Sequence, residues 1–421
     1  KKNKKKMSLL YKNAAEILGR IRSREGTLRT ILYDENSKYG QRDIKKLFSI
    51  VHNTLVNIKM LKEVSTRTGL DENVEHQDLL IILLYEKLLS QRKKIIGGGQ
   101  LKRIIVEALM KHADQVSKIF KQYGINENES VKKSEPIKPI YIRINKHHKD
   151  VSGIIDQLFE HFPSDNISMD DFLPNLIKIE GINSHDFRSI DLYNDGKIVI
   201  QDKASCLPVY ALKPKGEGDT IDCCAAPGNK TSQISEYSQG KVFAFERDAR
   251  RFKTLQSRME HLSCDNVECL LQDFLETDPN DPKFANVRYA VIDPSCSGSG
   301  LQSHALVDLD SDRNDAAERE RLKKLSSFQQ KILEHALSFP AITKVVYSTC
   351  SVNEIENERV VARALENEAV QDKFEVAVAL KKWHRRGLER YPFGHACIRV
   401  DPKKDGANGF FLALLKRKQD Q

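Results

Sequence analysis

The sequence predicts an α/β chain whose C-terminal half is a doubly wound sheet, preceded by a small α+β unit and an N-terminal helical region. Three observations carry this. From about residue 217 short apolar runs alternate with amphipathic stretches, strand then helix, the rhythm of a largely parallel sheet covered on both faces. The first of those strands runs into a Pro-Gly turn of small residues, and the second ends on an acidic residue. The first third shows apolar residues at three- and four-residue steps, the period of amphipathic helices.

Composition sets the outer limits. The chain has 421 residues, 40% hydrophobic and 30% charged, which suits two or three globular domains with sizeable cores. No apolar run approaches the roughly 20 residues that cross a bilayer, so no membrane partner is expected. Lys1-Lys2-Asn3-Lys4-Lys5-Lys6-Met7 has charge but no signal-type apolar stretch behind it, so secretion is not expected. Met7-Ser8-Leu9 reads as a translation start, with six residues of extension before it. The eight cysteines contain no C-x-x-C pair, which argues against a disulfide scaffold or zinc site and for a reducing compartment.

The net charge of +9 is unevenly spread. Residues 1–124 hold 26 Lys+Arg against 13 Asp+Glu, and the remainder holds 42 against 46. An excess confined to one region is the electrostatic footprint of a polyanion binder, since each neutralised phosphate releases counterions. The bland alternative is a solvated, Lys-rich helical surface.

Along the chain, Ile44, Leu47, Phe48, Val51, Leu55, Ile58 and Leu61 form one apolar helical face. Gln77 to Ser90 is a more buried helix, and a third runs from Leu101 to about Phe120. Gly97-Gly98-Gly99 between them reads as an interhelix turn, with phosphate contact by backbone amides as the sharper alternative. The basic helical region spans 7–124, and the polar, two-proline stretch 125–139 is a linker. Ile140–Ile144 alternates like a strand, Val151–Phe162 reads as helix, and further short strands up to Lys197–Gln201 complete a small α+β unit over 140–215. In the last domain, 216–418, the strands fall at Thr220–Cys223, Lys241–Glu246, Val267–Leu271, Arg288–Asp293, Lys344–Ser348 and Phe410–Leu415. Helices intervene at about 230–238, 248–262, 319–338 and 354–367, and the charged stretch Asp308–Arg321 is a surface loop entering a helix.

Four strand ends hold the unusual residues. Asp222-Cys223-Cys224-Ala225-Ala226-Pro227-Gly228-Asn229-Lys230-Thr231 leads a strand through small side chains into a helix N-terminus, where a ligand meets backbone closely. Glu246, ending the next strand, stands where an acidic side chain accepts from ribose hydroxyls, and the two together point to nucleoside binding. There is no P-loop, which disfavours ATP hydrolysis. Asp293-Pro294-Ser295-Cys296-Ser297-Gly298-Ser299-Gly300 and Tyr347-Ser348-Thr349-Cys350-Ser351 each place a cysteine just past a strand among small polar residues. Such open strand ends near a helix start favour a lowered thiol pKa and reactivity. Cys206, Cys264, Cys269 and Cys397 read as buried packing residues. Trp383-His384-Arg385-Arg386-Gly387 reads either as an RNA contact by stacking and charge or as a solvated loop. His384 has no partners at metal-ligand spacing, and no metal is assigned.

The segments Asp222–Thr231, Asp293–Gly300 and Ser348–Ser351, with Gln201-Asp202-Lys203-Ala204-Ser205 upstream, resemble the motif set of the Nop/Sun-domain RNA cytosine-5 methyltransferases over about residues 138 to 418. The N-terminal helical region with its glycine turn resembles the branch acting on large-subunit ribosomal RNA. The resemblance implies a class I (Rossmann-like) methyltransferase core dependent on S-adenosylmethionine, behind a small RNA-binding subdomain. By position, Cys224 to Lys230 wrap the methionine part of the cofactor, Glu246 holds its ribose where the family often has Asp, Arg251 lies near it and Asp273 contacts the adenine. Asp293 lies between cofactor and target base, with Lys230 beside its turn. Cys350 matches the family's nucleophile and Cys296 the second cysteine, implicated in product release. RNA, as large-subunit rRNA or a pre-ribosomal particle, is the implied partner of a monomeric, nucleolar protein.

Those residue types suit the reaction. Carbon 5 of cytosine is too poor a nucleophile to take a methyl group directly, whereas thiolate addition at carbon 6 makes it enamine-like. A carboxyl at ring nitrogen 3 helps the addition, and a base must then remove the carbon 5 proton so that the cysteine can leave. The base must be unstacked or single-stranded. A nitrogen methyltransferase would need no paired cysteines and commonly has Pro-Pro-aromatic where this chain has Pro294-Ser295-Cys296. The alternatives carried forward are an RNA-binding ribosome-assembly factor with the same fold and a tRNA cytosine-5 methyltransferase.

Overall fold

The computed structural model describes residues 8–125 apart from 24, 27, 33–38, 40 and 98, residues 139–214 apart from 182–186, 188 and 189, and residues 216–301 and 315–418. Residues 1–6, most of the expected linker and the first part of the expected charged loop therefore lie outside the described residues. The chain divides into two compact units, the second comprising 137–301 and 314–421.

The first unit is helical among its described residues. Helix Gln77–Leu88 is apolar all round because helices Leu9–Arg22, Gln41–Val56 and Ile58–Arg67 surround it, and Leu80 to Leu84 are buried. Two expected helices prove to be pairs. The apolar face from Ile44 to Leu61 breaks at Asn57, which leaves helical geometry and turns its side-chain amide onto the Asn53 carbonyl at 2.8 Å. The stretch from Leu101 to Phe120 breaks at His112, between Gly99–Lys111 and Ala113–Gln122. Helix Leu9–Arg22 was not anticipated, although Tyr11, Ala14, Ile17, Leu18 and Ile21 give it a buried stripe. Gly97 and Gly99 adopt positive φ, the interhelix turn expected, and Gly98 lies outside the described residues. No helix among the described residues is long and apolar enough to cross a membrane.

The second unit begins with an antiparallel sheet of β1 (Ile140–Ile144), β2 (Ile167–Met169), β3 (Leu176–Ile179) and β4 (Ile198–Ile200), in the order β2-β3-β1-β4. Helix Val151–His161 packs its apolar face on this sheet, its N-terminus capped by Asp150, which accepts from the Gly153 amide at 2.9 Å. Buried Arg143 of β1 fastens the small sheet to helix Asn229–Tyr237 of the larger one. It donates to Gln201 Oε1 at 3.0 Å and Ser232 Oγ at 2.7 Å and pairs with Glu236.

The large sheet holds β5 (Asp219–Asp222), β6 (Val242–Glu246), β7 (Val267–Leu271), β8 (Val287–Ile292), β9 (Lys344–Thr349), β10 (Phe374–Ala377), β11 (Ile398–Val400) and β12 (Phe410–Arg417). Its order is β10-β12-β9-β8-β5-β6-β7, with β11 on β12. Strands β5 to β9 are parallel, as the strand–helix alternation predicts. Strands β10 to β12 are antiparallel, and of these the sequence reading names only β12. From β5 the chain builds outward through β6 and β7, then returns to add β8 and β9 on the other side. That reversal opens a crevice at the carboxyl ends of β5 and β8, where open α/β sheets bind ligands.

Candidate active site

Every strand end named from the sequence opens toward that crevice. After β5, Ala225 bonds across to β6, its amide 2.9 Å from the Phe245 carbonyl, and the Ala226–Pro227 peptide is cis. Gly228 then turns at φ 101°, a left-handed backbone conformation that favours glycine. Helix Asn229–Tyr237 starts directly after it.

Glu246 is buried at the end of β6. Its Oε1 accepts from the Asp248 amide at 2.9 Å, and its Oε2 lies 3.2 Å from Arg251 Nη1. Arg251 also donates to the Ala226 carbonyl at 2.6 Å, so it ties the turn after β5 to the carboxylate after β6. Asp273 caps the short turn Phe274–Glu276 and meets Arg247 Nη1 at 3.2 Å. Asp222 is buried with Thr231 Oγ1 on Oδ2 at 2.8 Å, and Oδ1 has no partner of good geometry among the described residues. Burial is the largest cause pushing the Asp222 carboxyl up to about 6. A helix N-terminus suits the anionic end of a ligand and a carboxylate at the next strand end suits its hydroxyls, and S-adenosylmethionine brings both a carboxylate and ribose hydroxyls.

The second half of the site lies past β8 and β9. Lys230 Nζ stands 2.7 Å from Asp293 Oδ2 and 2.9 Å from Ser205 Oγ. Burial works against the Lys230 charge, but the Asp293 charge and hydrogen bond outweigh it and raise its pKa. Ser348 at the end of β9 donates to Asp293 Oδ1 at 3.1 Å. Cys296 and Cys350, 54 positions apart in sequence, bring their sulfurs to 3.1 Å.

One expectation is overturned here. Both thiols were expected to have lowered pKa values, but the hydrogen bond to Cys350, helped by burial, raises that of Cys296 well above the ordinary range. Of the presumed packing cysteines, Cys206, Cys264 and Cys397 are buried and Cys269 is only half-buried. The segment around Trp383 is anchored to the fold by three of its residues, while His384 stays exposed. Trp383 is buried and donates to the Arg399 carbonyl at 3.1 Å, Arg385 grips Asp405, and Arg386 donates to the carbonyls of Ala379, Leu380 and Lys381.

Ser205, Ser348 and the pair Gly300–Gly409 were given no role from the sequence. The Gly300 amide donates to the Cys350 carbonyl and the Gly409 amide to the Gly300 carbonyl, each at 2.9 Å, latching three loops together. A Cβ on Gly300 would lie 2.0 Å from the Gly409 carbonyl oxygen and 2.9 Å from that of Cys350. Gly300→Ala should therefore displace the Cys350 loop and cut methyl transfer by about tenfold or more, with overpacking costing roughly 1–3 kcal/mol. Initial rates beside a melting curve check this, and an unchanged rate in a folded variant removes the latch from the mechanism.

A family model described as 16S rRNA methyltransferase RsmB/F matches residues 209–416. The chain is 35% identical to the 25S rRNA (cytosine-C(5))-methyltransferase rcm1 of Schizosaccharomyces pombe, across 97% of this chain and 91% of that protein. The chain belongs to the Nop/Sun-domain RNA cytosine-5 methyltransferase family. The 28S rRNA (cytosine-C(5))-methyltransferase of Mus musculus, another relative, is 32% identical over 97% of this chain and 91% of its own length. Among solved structures, NSun6 from Pyrococcus horikoshii with SFG superposes at TM-score 0.54 and 15% identity over 73% of this chain and 95% of its own, a likeness of fold. As in the family, the fold is a class I methyltransferase core and the cofactor is S-adenosylmethionine.

Proposed function

We propose that this protein methylates carbon 5 of a cytosine in large-subunit ribosomal RNA, through a covalent bond between Cys350 and the base. The observation that carries the reading is the pair of sulfurs 3.1 Å apart, with a Lys230–Asp293 pair at the adjacent strand end. Nothing in nitrogen methylation or passive RNA binding calls for two thiols in contact. The relatives named for methylation at this carbon of 25S and 28S rRNA support the substrate class.

The division of labour follows from position. Cys224 to Lys230, Glu246, Arg251 and Asp273 hold S-adenosylmethionine, which when bound supplies an electrophilic methyl group. Cys350 adds to carbon 6 of the cytosine. Asp293, held by Ser348 on one oxygen and Lys230 on the other, faces ring nitrogen 3 and accepts from the N–H that forms there as the ring takes up a proton during the addition. Lys230 keeps its charge and therefore holds the Asp293 carboxylate in one orientation. Cys296 serves the release of Cys350. The basic region 7–124 and the small unit 140–215 bind RNA, while 216–418 carries the reaction. All these groups lie on one chain, which a monomer would satisfy, and work on large-subunit rRNA supports residence in the nucleolus.

Total RNA incubated with the protein and S-adenosylmethionine, then sequenced after bisulfite treatment, is expected to show a newly protected cytosine in the large-subunit rRNA. Protection confined to tRNA would reassign the substrate. No transfer under single-turnover conditions, on free RNA or pre-ribosomes, would leave an RNA-binding assembly factor.

A further inference from the structure

We propose that Glu356 is a positioning residue that sets the separation of the two thiols; the proposal rests on the reading of Cys350 and Cys296 as the reacting pair. Glu356 closes the short turn Glu354–Glu356, six positions after Cys350, and is fully buried. Its Oε1 accepts from the Ser297 amide at 2.8 Å and Gln329 Nε2 at 3.1 Å. Its Oε2 has Ser297 Oγ at 2.5 Å, Ser351 Oγ at 2.6 Å and Asn353 Nδ2 at 3.3 Å. Ser297 directly follows Cys296 and Ser351 directly follows Cys350, so one carboxylate grips the chain beside both sulfurs.

The surroundings fix the carboxylate in turn. The Glu356 carbonyl accepts from Tyr347 Oη at 2.5 Å, which anchors it on β9, and Gln329 also donates to the Ser295 carbonyl at 3.0 Å on the far side of Cys296. Among the described residues its partners are all neutral donors. A buried carboxylate is costly unless its acceptor sites are filled, and here they are filled by groups from both cysteine loops. Each such bond to a charged acceptor is shorter and stronger than a neutral one. A glutamine would have the same shape but would turn an amide donor toward part of this donor cluster. Glu356→Gln should therefore loosen the pairing of the loops without touching the cofactor turn.

Phenylarsine oxide reads the pairing without reference to catalysis, because its trivalent arsenic bonds two neighbouring thiols and releases water. The full-length protein, Cys296→Ala and Glu356→Gln are titrated with it, beside S-adenosylmethionine binding and thermal melting. Capture should weaken by about tenfold or more in Cys296→Ala, which shows that the measured pair is the right one, and by a similar factor in Glu356→Gln, the loss expected for one or more hydrogen bonds. S-adenosylmethionine affinity should hold, and kcat should fall while its KM does not move. If Glu356→Gln fails to fold, Ser297→Ala combined with Ser351→Ala removes both hydroxyls from Oε2, together with their bonds to Ser299, Asn353 and each other, and carries the same expectation. A folded variant that captures the arsenical as tightly as the wild type overturns the proposal. If Cys350→Ala proved fully active, the catalytic reading would fail, but the arsenical result would still report on Glu356.

Discussion

Replacing Cys350 with alanine is expected to abolish methyl transfer, a loss of about ten-thousandfold or more, while S-adenosylmethionine binds as before. Removing the nucleophile of a covalent mechanism commonly costs this much, because no other group opens the same path. The chemistry leaves little room for a bypass, since carbon 5 becomes nucleophilic only after addition at carbon 6. Binding should survive because Glu246, Arg251 and the turn after β5 are held by one another. Loss of one half-buried sulfur leaves a small void, so the fold should lose little stability. Isotope transfer from labelled donor to RNA gives the rate, and calorimetric titration gives the affinity. Full turnover in this variant would remove Cys350 from the mechanism.

The residues that could be read from the sequence are those carried on short continuous segments. Cys224 to Lys230, Glu246, Asp293, Cys296 and Cys350 each sit close to a strand end, and a strand followed by a turn of small residues announces itself locally. The partners that make them work come from elsewhere in the chain. Ser348 reaches Asp293 across β8 and β9, Ser205 reaches Lys230 from the helix Lys203–Leu212, and Gly409 meets Gly300 across 109 positions. No local pattern encodes such meetings. Glu356 left a faint signal, a charged residue within Asn353-Glu354-Ile355-Glu356-Asn357 just after the cysteine, yet only burial separates it from Glu354. In the fold, periodicity marks the helical stretches Ile44–Leu61 and Leu101–Phe120 but not their breaks, because the apolar face continues past Asn57 and His112 while the backbone does not.

Cys296→Ala is expected to accumulate a denaturation-resistant protein–RNA adduct while its turnover falls. The reason lies in the contact between the two sulfurs. A Cys296 thiol 3.1 Å from Cys350 can donate its S–H to that sulfur when Cys350 departs as a thiolate. Once Cys350 is bonded to carbon 6 its sulfur carries no charge and accepts that hydrogen bond poorly. The contact therefore stabilises free Cys350 more than the adduct and pulls the equilibrium toward release. A hydrogen bond to a charged group contributes about 1.5–3 kcal/mol, so deleting it should shift the balance toward the adduct by roughly 10- to 100-fold. Denaturing gels of the variant with substrate RNA should show a slow-migrating band that the wild type gives weakly and Cys350→Ala not at all. The same asymmetry predicts which variant must carry the band. An adduct in Cys350→Ala with none in Cys296→Ala would mean that Cys296 attacks the base and Cys350 assists its departure.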